Sequence, residues 1–286
     1  LQRNGSSRQL VTTFGILMMT LDYAALLDRM IDLARIGGAA VTEIYNTDFD
    51  VQTKEDGSPV TLADERCEAI ILTGLAKYAP DIPVLAEESA SDGDIQEIGA
   101  RLGNRFFLVD PLDGTREFAN RTGEFTVNIA LCEDGVPTLG VVYAPVIEKL
   151  YAGGPGRGAR MFTADQSDGE TIGVRPIPPD GMIAVASRSH RSPETDTLLE
   201  TLAVKDFVAA GSSLKFCLLA EGKADIYPRL GRTMEWDTAA GHAVLSGAGG
   251  CVVTHPEGAA LTYGKKGRGF DNPHFVAHGR ALETLT

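Results

Sequence analysis

The stretch Val109-Asp110-Pro111-Leu112-Asp113-Gly114-Thr115-Arg116-Glu117-Phe118 decides how the rest of the chain is read. Just before it, Arg105-Phe106-Phe107-Leu108-Val109 is a short, β-rich apolar run, the pattern of a buried strand that delivers Asp110 at its C-terminal end. Pro111 has no N–H and bars continuation of a ladder, while Gly114 permits a positive φ or a close backbone approach. Two carboxylates three residues apart on such a turn suit a hard divalent cation, which takes oxygen ligands. The amides after Asp113 could meet a phosphate if a helix or a nest of N–H groups begins there. A lone D-x-x-D is otherwise a solvated acidic turn, so the reading depends on partners elsewhere.

The 286 residues carry 26 Lys and Arg against 39 Asp and Glu, a net charge of −13, with no basic run or basic–aromatic stripe. Duplex nucleic acid is not an expected partner. An anionic small molecule remains one, because bound cations invert local electrostatics. A hydrophobic content of 43% over this length allows one large or two small cores. Cys67, Cys132, Cys217 and Cys251 are widely spaced, without a CxxC pair, and sit among apolar neighbours. They read as small buried hydrophobes in a reducing compartment rather than a zinc site.

Arg3 and Arg8 precede the apolar run 10–19, loosely a secretory pattern, but no small-residue cleavage site follows and the run is too short to span a bilayer. Residues 1–19 are read as an upstream extension or an added leader, with Met18 or Met19 the natural start. The expected location is cytoplasmic.

Apolar spacing predicts a helix over 20–44, and 51–60 reads as a strand, a turn at Asp56-Gly57 and a short return. Thr61-Leu62-Ala63-Asp64 has capping-box spacing, with Asp for the usual Glu, before a helix to about 78. A short strand over 82–86 ends in Glu87-Glu88-Ser89, read as a loop, and a helix follows over 94–102. After the 105–109 strand come strands over 125–132, 138–143 and 149–152, with a hairpin tip at 153–158. A linker at 175–181 leads into alternating strands and helices to the C-terminus. The division expected is an N-terminal α+β metal-binding subdomain, 20–178, and a C-terminal α/β subdomain, 179–286, with the active site between them.

Glu87 follows a buried-looking strand, and Asp237, after the single tryptophan Trp236, opens the run Asp237-Thr238-Ala239-Ala240-Gly241. Taken singly, Glu87 is a solvated loop acid and Asp237 a helix N-cap. Together with Asp110 and Asp113 they are four acids that would repel one another strongly if they converged without cations. Two or three Mg²⁺ ions would remove that conflict and leave room for phosphate oxygens, which points to hydrolysis of a phosphate ester.

The motifs Asp110-Pro111-Leu112-Asp113-Gly114-Thr115, Glu87-Glu88-Ser89 and Trp236-Asp237-Thr238-Ala239-Ala240-Gly241 together resemble the inositol monophosphatase superfamily. Within it, the runs 113–131, Ser187-Arg188-Ser189-His190 and 211–228 resemble the CysQ-type 3'(2'),5'-bisphosphate nucleotidases. The resemblance covers residue 21 to the C-terminus and implies an α+β, layered α/β/α/β/α sandwich of the inositol monophosphatase and sugar phosphatase type. It implies a Mg²⁺-dependent, lithium-inhibited phosphatase that releases the 3'-phosphate of adenosine 3',5'-bisphosphate, giving AMP, in support of sulfur assimilation.

The same resemblance assigns Glu87, Asp110 and the Leu112 carbonyl to a first metal, and Asp110, Asp113 and Asp237 to a second. Thr115, hydrogen-bonded to Asp64, would with Glu87 orient and deprotonate the attacking water. The Gly114 and Thr115 amides would hold the phosphate. His190, Ser212, Lys215 and Arg229 would contact the rest of the substrate, although Lys215 and Arg229 taken alone are solvated charges and His190 a turn residue. Arg116 stands where the nucleotidases often carry Lys, and Met234-Glu235 also departs from their pattern. An inositol or other sugar-phosphate phosphatase is the nearest alternative, and a non-catalytic phosphate-binding regulator the alternative of another class. A homodimer, and a peripheral association at the inner face of the cell membrane, are both compatible with the sequence.

Overall fold

The computed structural model describes residues 21–53, 59–93, 95–187 and 193–280. It begins with helix α1 (Tyr23–Tyr45), started by the Asp22 carboxylate, which accepts the Ala24 and Ala25 N–H groups. Its buried stripe of Leu26, Met30, Ala34, Gly37, Val41 and Ile44 repeats every three or four residues, as one apolar helical face requires. The short strands β1 (Gln52–Thr53) and β2 (Pro59–Val60) pair antiparallel, and α2 (Leu62–Tyr78) follows with the expected Thr61–Asp64 capping box in place.

β3 (Val84–Ala86), α3 (Glu87–Asp92), α4 (Ile95–Arg101), β4 (Arg105–Asp113), α5 (Thr115–Ala119), β5 (Thr126–Glu133), β6 (Val136–Ala144), β7 (Lys149–Gly154), β8 (Gly158–Thr163) and β9 (Gln166–Ile172) complete the first half. The seven strands β3 to β9 form one sheet in sequence order, β3 and β4 parallel and every later pair antiparallel. The second half contains β10 (Met182–Ser187), α6 (Pro193–Glu200), β11 (Val204–Ala210), α7 (Leu214–Ala220), β12 (Ile226–Arg229), α8 (Ala239–Gly247), β13 (Cys251–Thr254) and β14 (Phe275–His278). Its five strands form a mixed sheet in the order β11-β10-β12-β14-β13.

The layers stack as α1 and α2, the seven-stranded sheet, α7 and α8, the five-stranded sheet, then α6. This is the α/β/α/β/α arrangement expected, and it arises because strands buried on both faces must be covered on both. In β4, Phe107 and Val109 pack toward α1 and α2, while Phe106 and Leu108 pack toward the central helices, the period of two that a strand imposes. Gly140 of β6 lets α8 approach closely, since a Cβ there would lie 2.3 Å from the Ala240 carbonyl oxygen.

Several sequence expectations need adjustment. Strand β4 continues past Pro111, with its register broken between Asp110 and Asp113, so the proline marks a bulge rather than the strand's end. Glu87 opens α3 instead of lying in a loop. The N-cap of α8 is Thr238, not Asp237. Strands β8 and β9 were not anticipated beyond the hairpin tip; β9, Gln-Ser-Asp-Gly-Glu-Thr-Ile, lies at the sheet edge and carries almost no apolar pattern. Cys67, Cys132 and Cys217 are buried free thiols, and burial raises the pKa of each. Among the described residues no helix is long and apolar enough to cross a membrane.

No helix or strand occupies 173–181, yet Arg175 there is firmly held: its Nε and NH2 donate to the two Asp225 oxygens at 2.9 and 2.8 Å. Asp225 also accepts the Ile183 N–H at 2.7 Å. Although burial opposes its ionisation, the hydrogen bonds and charge of Arg175, with the Ile183 N–H, hold its pKa below the ordinary carboxylate range. The Asp225 side chain is only 1% exposed, so Asp225→Ala strands a guanidinium and a backbone amide and should cost about 3 kcal/mol. Because the folded-state pKa is depressed, the contribution is present above the unfolded carboxylate pKa of about 4 and is lost as pH falls through the folded value. Denaturant titrations of wild type and variant at pH 7 should therefore differ most, and the gap should close in acid; a pH-independent gap would refute the ionic contribution.

Candidate active site

Asp110 follows Leu108 on the central face of β4, opposite Asn128 of β5, and is 1% exposed. The bulge then turns Leu112 into the core beneath α1 and α2, with its N–H on Asp110 Oδ1 at 3.1 Å. Gly114 adopts φ +96°, which only glycine takes readily, and releases the chain into α5. Thr115 Oγ1 lies 3.2 Å from Asp64 Oδ1 and 3.2 Å from the Leu112 carbonyl oxygen. Asp64 thereby serves two ends. Oδ2 takes the Thr61 N–H and hydroxyl at 2.7 Å each, capping α2, and Oδ1 faces Thr115.

Asp113 is fixed by the second half of the chain. Its Oδ2 accepts from the Ser212 hydroxyl at 2.6 Å, the Ser213 N–H at 2.8 Å and Asn128 Nδ2 at 3.3 Å. Ser212 sits at φ +54° just before α7, and its hydroxyl also meets Thr126 Oγ1 at 2.5 Å. Asp237 Oδ2 reaches back to the Met234 N–H at 2.9 Å, and its carbonyl accepts the Ser213 hydroxyl at 2.7 Å. Glu235, fully buried, anchors the same segment by accepting the Gly264 and Lys265 N–H groups and pairing with Lys265 Nζ at 2.8 Å.

These elements line a cavity of about 280 Å³ that brings Glu87, Asp110, Asp113 and Asp237 together with Lys215 and Arg229. The structure thus brings together every sequence-predicted site residue except His190, which lies outside the described residues; Asp64 joins through Thr115. Burial pushes the Asp110 carboxyl well above its ordinary range, reinforced by the charges of Glu87, Asp113 and Asp237. Asp237 is raised in the same way by burial, then by Asp113 and Glu87. Lys215, expected on chemical grounds to be solvated, is 7% exposed on α7, with Nζ 5.5 Å from the centre of the Tyr227 ring. Burial lowers its pKa to about 8, against the opposing pull of Asp113. Arg229 donates to the Arg232 carbonyl at 3.0 Å, and its buried Nε has no hydrogen-bond partner among the described residues.

The donor set is all oxygen, carries four formal negative charges and adds the Leu112 carbonyl, a composition that fits hard divalent cations and not soft ones. Among the described residues no three acidic, imidazole or thiol side chains close on one point as a finished shell. Asp113 and Asp237 each have Oδ2 turned onto protein donors.

Sequence reading missed the supporting residues. Asn128 and Thr126 lie in a run of strand apolars, and their only signal was polarity inside an otherwise buried strand. Glu68 of α2 accepts the Glu88 and Ser89 N–H groups at 2.9 Å each, which gives the start of α3 its position.

The chain matches the model of the inositol monophosphatase family over residues 22–285. It is 43% identical over 252 residues to the 3'(2'),5'-bisphosphate nucleotidase CysQ of Escherichia coli (strain K12), covering 87% of this chain and 98% of that one. Its counterpart of the same name in Shigella flexneri is 44% identical with the same coverage. Among solved structures, CysQ from Bacteroides thetaiotaomicron superposes with a TM-score of 0.78 at 37% identity, covering 92% of this chain and all of that one. An inositol monophosphatase of Thermotoga maritima shares the fold at a TM-score of 0.74 and 24% identity, covering 91% and 94%.

The raised carboxyls give a stability test. A group whose folded pKa lies above its unfolded value stabilises only while protonated, and the benefit is lost as pH rises through the folded pKa. In chelator at pH 7, Asp110→Asn should therefore raise the melting temperature, by roughly 2–4 °C for each kcal/mol of repulsion and desolvation removed. Millimolar Mg²⁺ should raise the wild-type melting temperature and leave the variant nearly unmoved. A variant less stable than wild type in chelator would contradict the electrostatic account.

Proposed function

We propose that this chain, which belongs to the inositol monophosphatase family, is a metal-dependent phosphatase that hydrolyses the 3'-phosphate of adenosine 3',5'-bisphosphate to AMP and phosphate. The observation that supports this most is one cavity lined both by four acids, Glu87, Asp110, Asp113 and Asp237, and by two cations, Lys215 and Arg229. The names of its relatives point to the same substrate.

In this reading Glu87, Asp110 and the Leu112 carbonyl would hold one Mg²⁺, and Asp110, Asp113 and Asp237 would hold a second. Bound there, the ions supply charge neutralisation of the carboxylates and the phosphate and a lowered pKa for water. The chain's own residues do the rest. The Gly114 and Thr115 amides bind phosphate oxygens where the chain enters α5. Thr115 gives its hydroxyl proton to Asp64 and so offers a lone pair to the attacking water, whose proton can pass along that pair. Glu87, at the start of α3, would help to orient and deprotonate the same water.

Lys215 and Arg229 take the second phosphate. An arriving phosphate favours the protonated form of Lys215 and offers an acceptor to Arg229 Nε, which has none among the described residues. Ser212 acts on substrate through Asp113, since its hydroxyl is already committed to that carboxylate and to Thr126. Lithium inhibition and removal of a by-product of sulfur assimilation follow from the same reading.

Phosphate release with Mg²⁺ should be fastest for adenosine 3',5'-bisphosphate, compared with inositol 1-phosphate and fructose 1,6-bisphosphate; preference for inositol 1-phosphate would overturn the substrate assignment. Asp113→Asn should lose at least about a hundredfold in kcat with the fold intact by circular dichroism. Lys215→Ala should raise KM for the bisphosphate roughly ten- to a hundredfold, the worth of one charged hydrogen bond, while changing KM for inositol 1-phosphate little. An equal rise for both substrates would remove Lys215 from the second-phosphate site.

A further inference from the structure

Helix α3 has only six residues, and its N-cap position is Ala86, a residue with no side chain able to cap it. A helix this short does not persist by itself, and its first amides need acceptors. Those acceptors come from α2: Glu68 Oε2 takes the Glu88 N–H at 2.9 Å, and Oε1 takes the Ser89 N–H at 2.9 Å and the Ser89 hydroxyl at 2.5 Å. These are the second and third residues of α3, the amides that an N-cap side chain normally satisfies. Glu68 is 5% exposed, so no water replaces it cheaply.

Glu68 stands four residues after Asp64, one turn further along α2 and about 6 Å along its axis. Asp64 holds Thr115 at the start of α5, and Glu68 holds the start of α3, where Glu87 leads. We infer that Glu68 is a positioning residue: it substitutes for the missing cap of α3 and thereby sets Glu87 at a fixed distance from Thr115, with α2 as the spacer. The inference rests on the reading of Glu87 as a metal ligand. It gives a role to a buried carboxylate whose hydrogen bonds all run to the start of α3 among the described residues. Its charge is met by amide donors, and its effect is transmitted through the backbone of Glu88 and Ser89.

The test is Mn²⁺ binding to the substrate-free protein, read from the paramagnetic signal of the free ion, alongside thermal melts. Glu68→Gln replaces one acceptor oxygen with an NH₂ group against an N–H, and should weaken Mn²⁺ binding tenfold or more. Ser89→Ala removes only the hydroxyl donor and should weaken it a few-fold at a nearly wild-type melting temperature. The half-saturating Mg²⁺ concentration for activity should shift in the same order, with kcat at saturating Mg²⁺ affected less. Wild-type Mn²⁺ affinity in Ser89→Ala overturns the inference, even if Glu68→Gln fails to fold. So does a Glu68→Gln protein that melts earlier yet binds Mn²⁺ normally. Glu87→Gln separates the two readings: if it binds Mn²⁺ as wild type does, the ligand assignment has failed, and if it alone is impaired, only the positioning role has.

Discussion

The interaction on which the site depends is the break in register between Asp110 and Asp113 in β4. Up to Asp110 the strand is an ordinary two-faced core strand, tied to β5 residue by residue. An unbroken strand would send alternate residues to opposite faces, and Asp113 would point away from Asp110. Pro111 and Leu112 take up the slack as a bulge, so that both carboxylates line one cavity while Leu112 fills the core beneath α1 and α2. The carbonyl of Leu112 is turned to Thr115 by the same movement. A single irregularity therefore aims two acids and orients a hydroxyl.

That geometry has an electrostatic cost which the surroundings distribute. Burial and mutual repulsion push Asp110 and Asp237 toward protonation. Asp113 is instead met by three donors on one oxygen, from Ser212, Ser213 and Asn128. Lys215, brought in on α7, is drained of basicity by burial but drawn toward the acids by Asp113. The cavity thus holds carboxyls pushed toward protonation and a lysine pushed toward neutrality within one lining.

What the sequence made legible was local. The capping box at Thr61 and Asp64 and the four acids all have signals within a few residues of themselves. Asp64 had two competing readings, a cap and a Thr115 partner, and the structure shows that they use different oxygens of one carboxylate. What was not legible depended on packing between distant segments. Lys215 is a surface residue by composition, and only the stacking of α7 between two sheets buries it over Tyr227. Glu235 departed from the expected pattern before Trp236, and its role became visible only when the 264–265 amides arrived from another loop. Edge strand β9 had no apolar face to announce it, because an edge strand needs none.

The bond from Asp113 to Ser212 and Ser213 also explains why the second half of the chain cannot be treated as a substrate module added to a finished catalytic one. Ser213 joins two acids, donating its N–H to Asp113 and its hydroxyl to the Asp237 carbonyl. It lies immediately before α7, the helix that carries Lys215. Any shift of α7 that moved the cation would pull on both acids through Ser213. The position of Lys215 and the arrangement of Asp113 and Asp237 are therefore mechanically one variable. A substitution on α7 has to preserve the Ser212-Ser213 turn, at φ +54° for Ser212, if Asp113 and Asp237 are to keep their places.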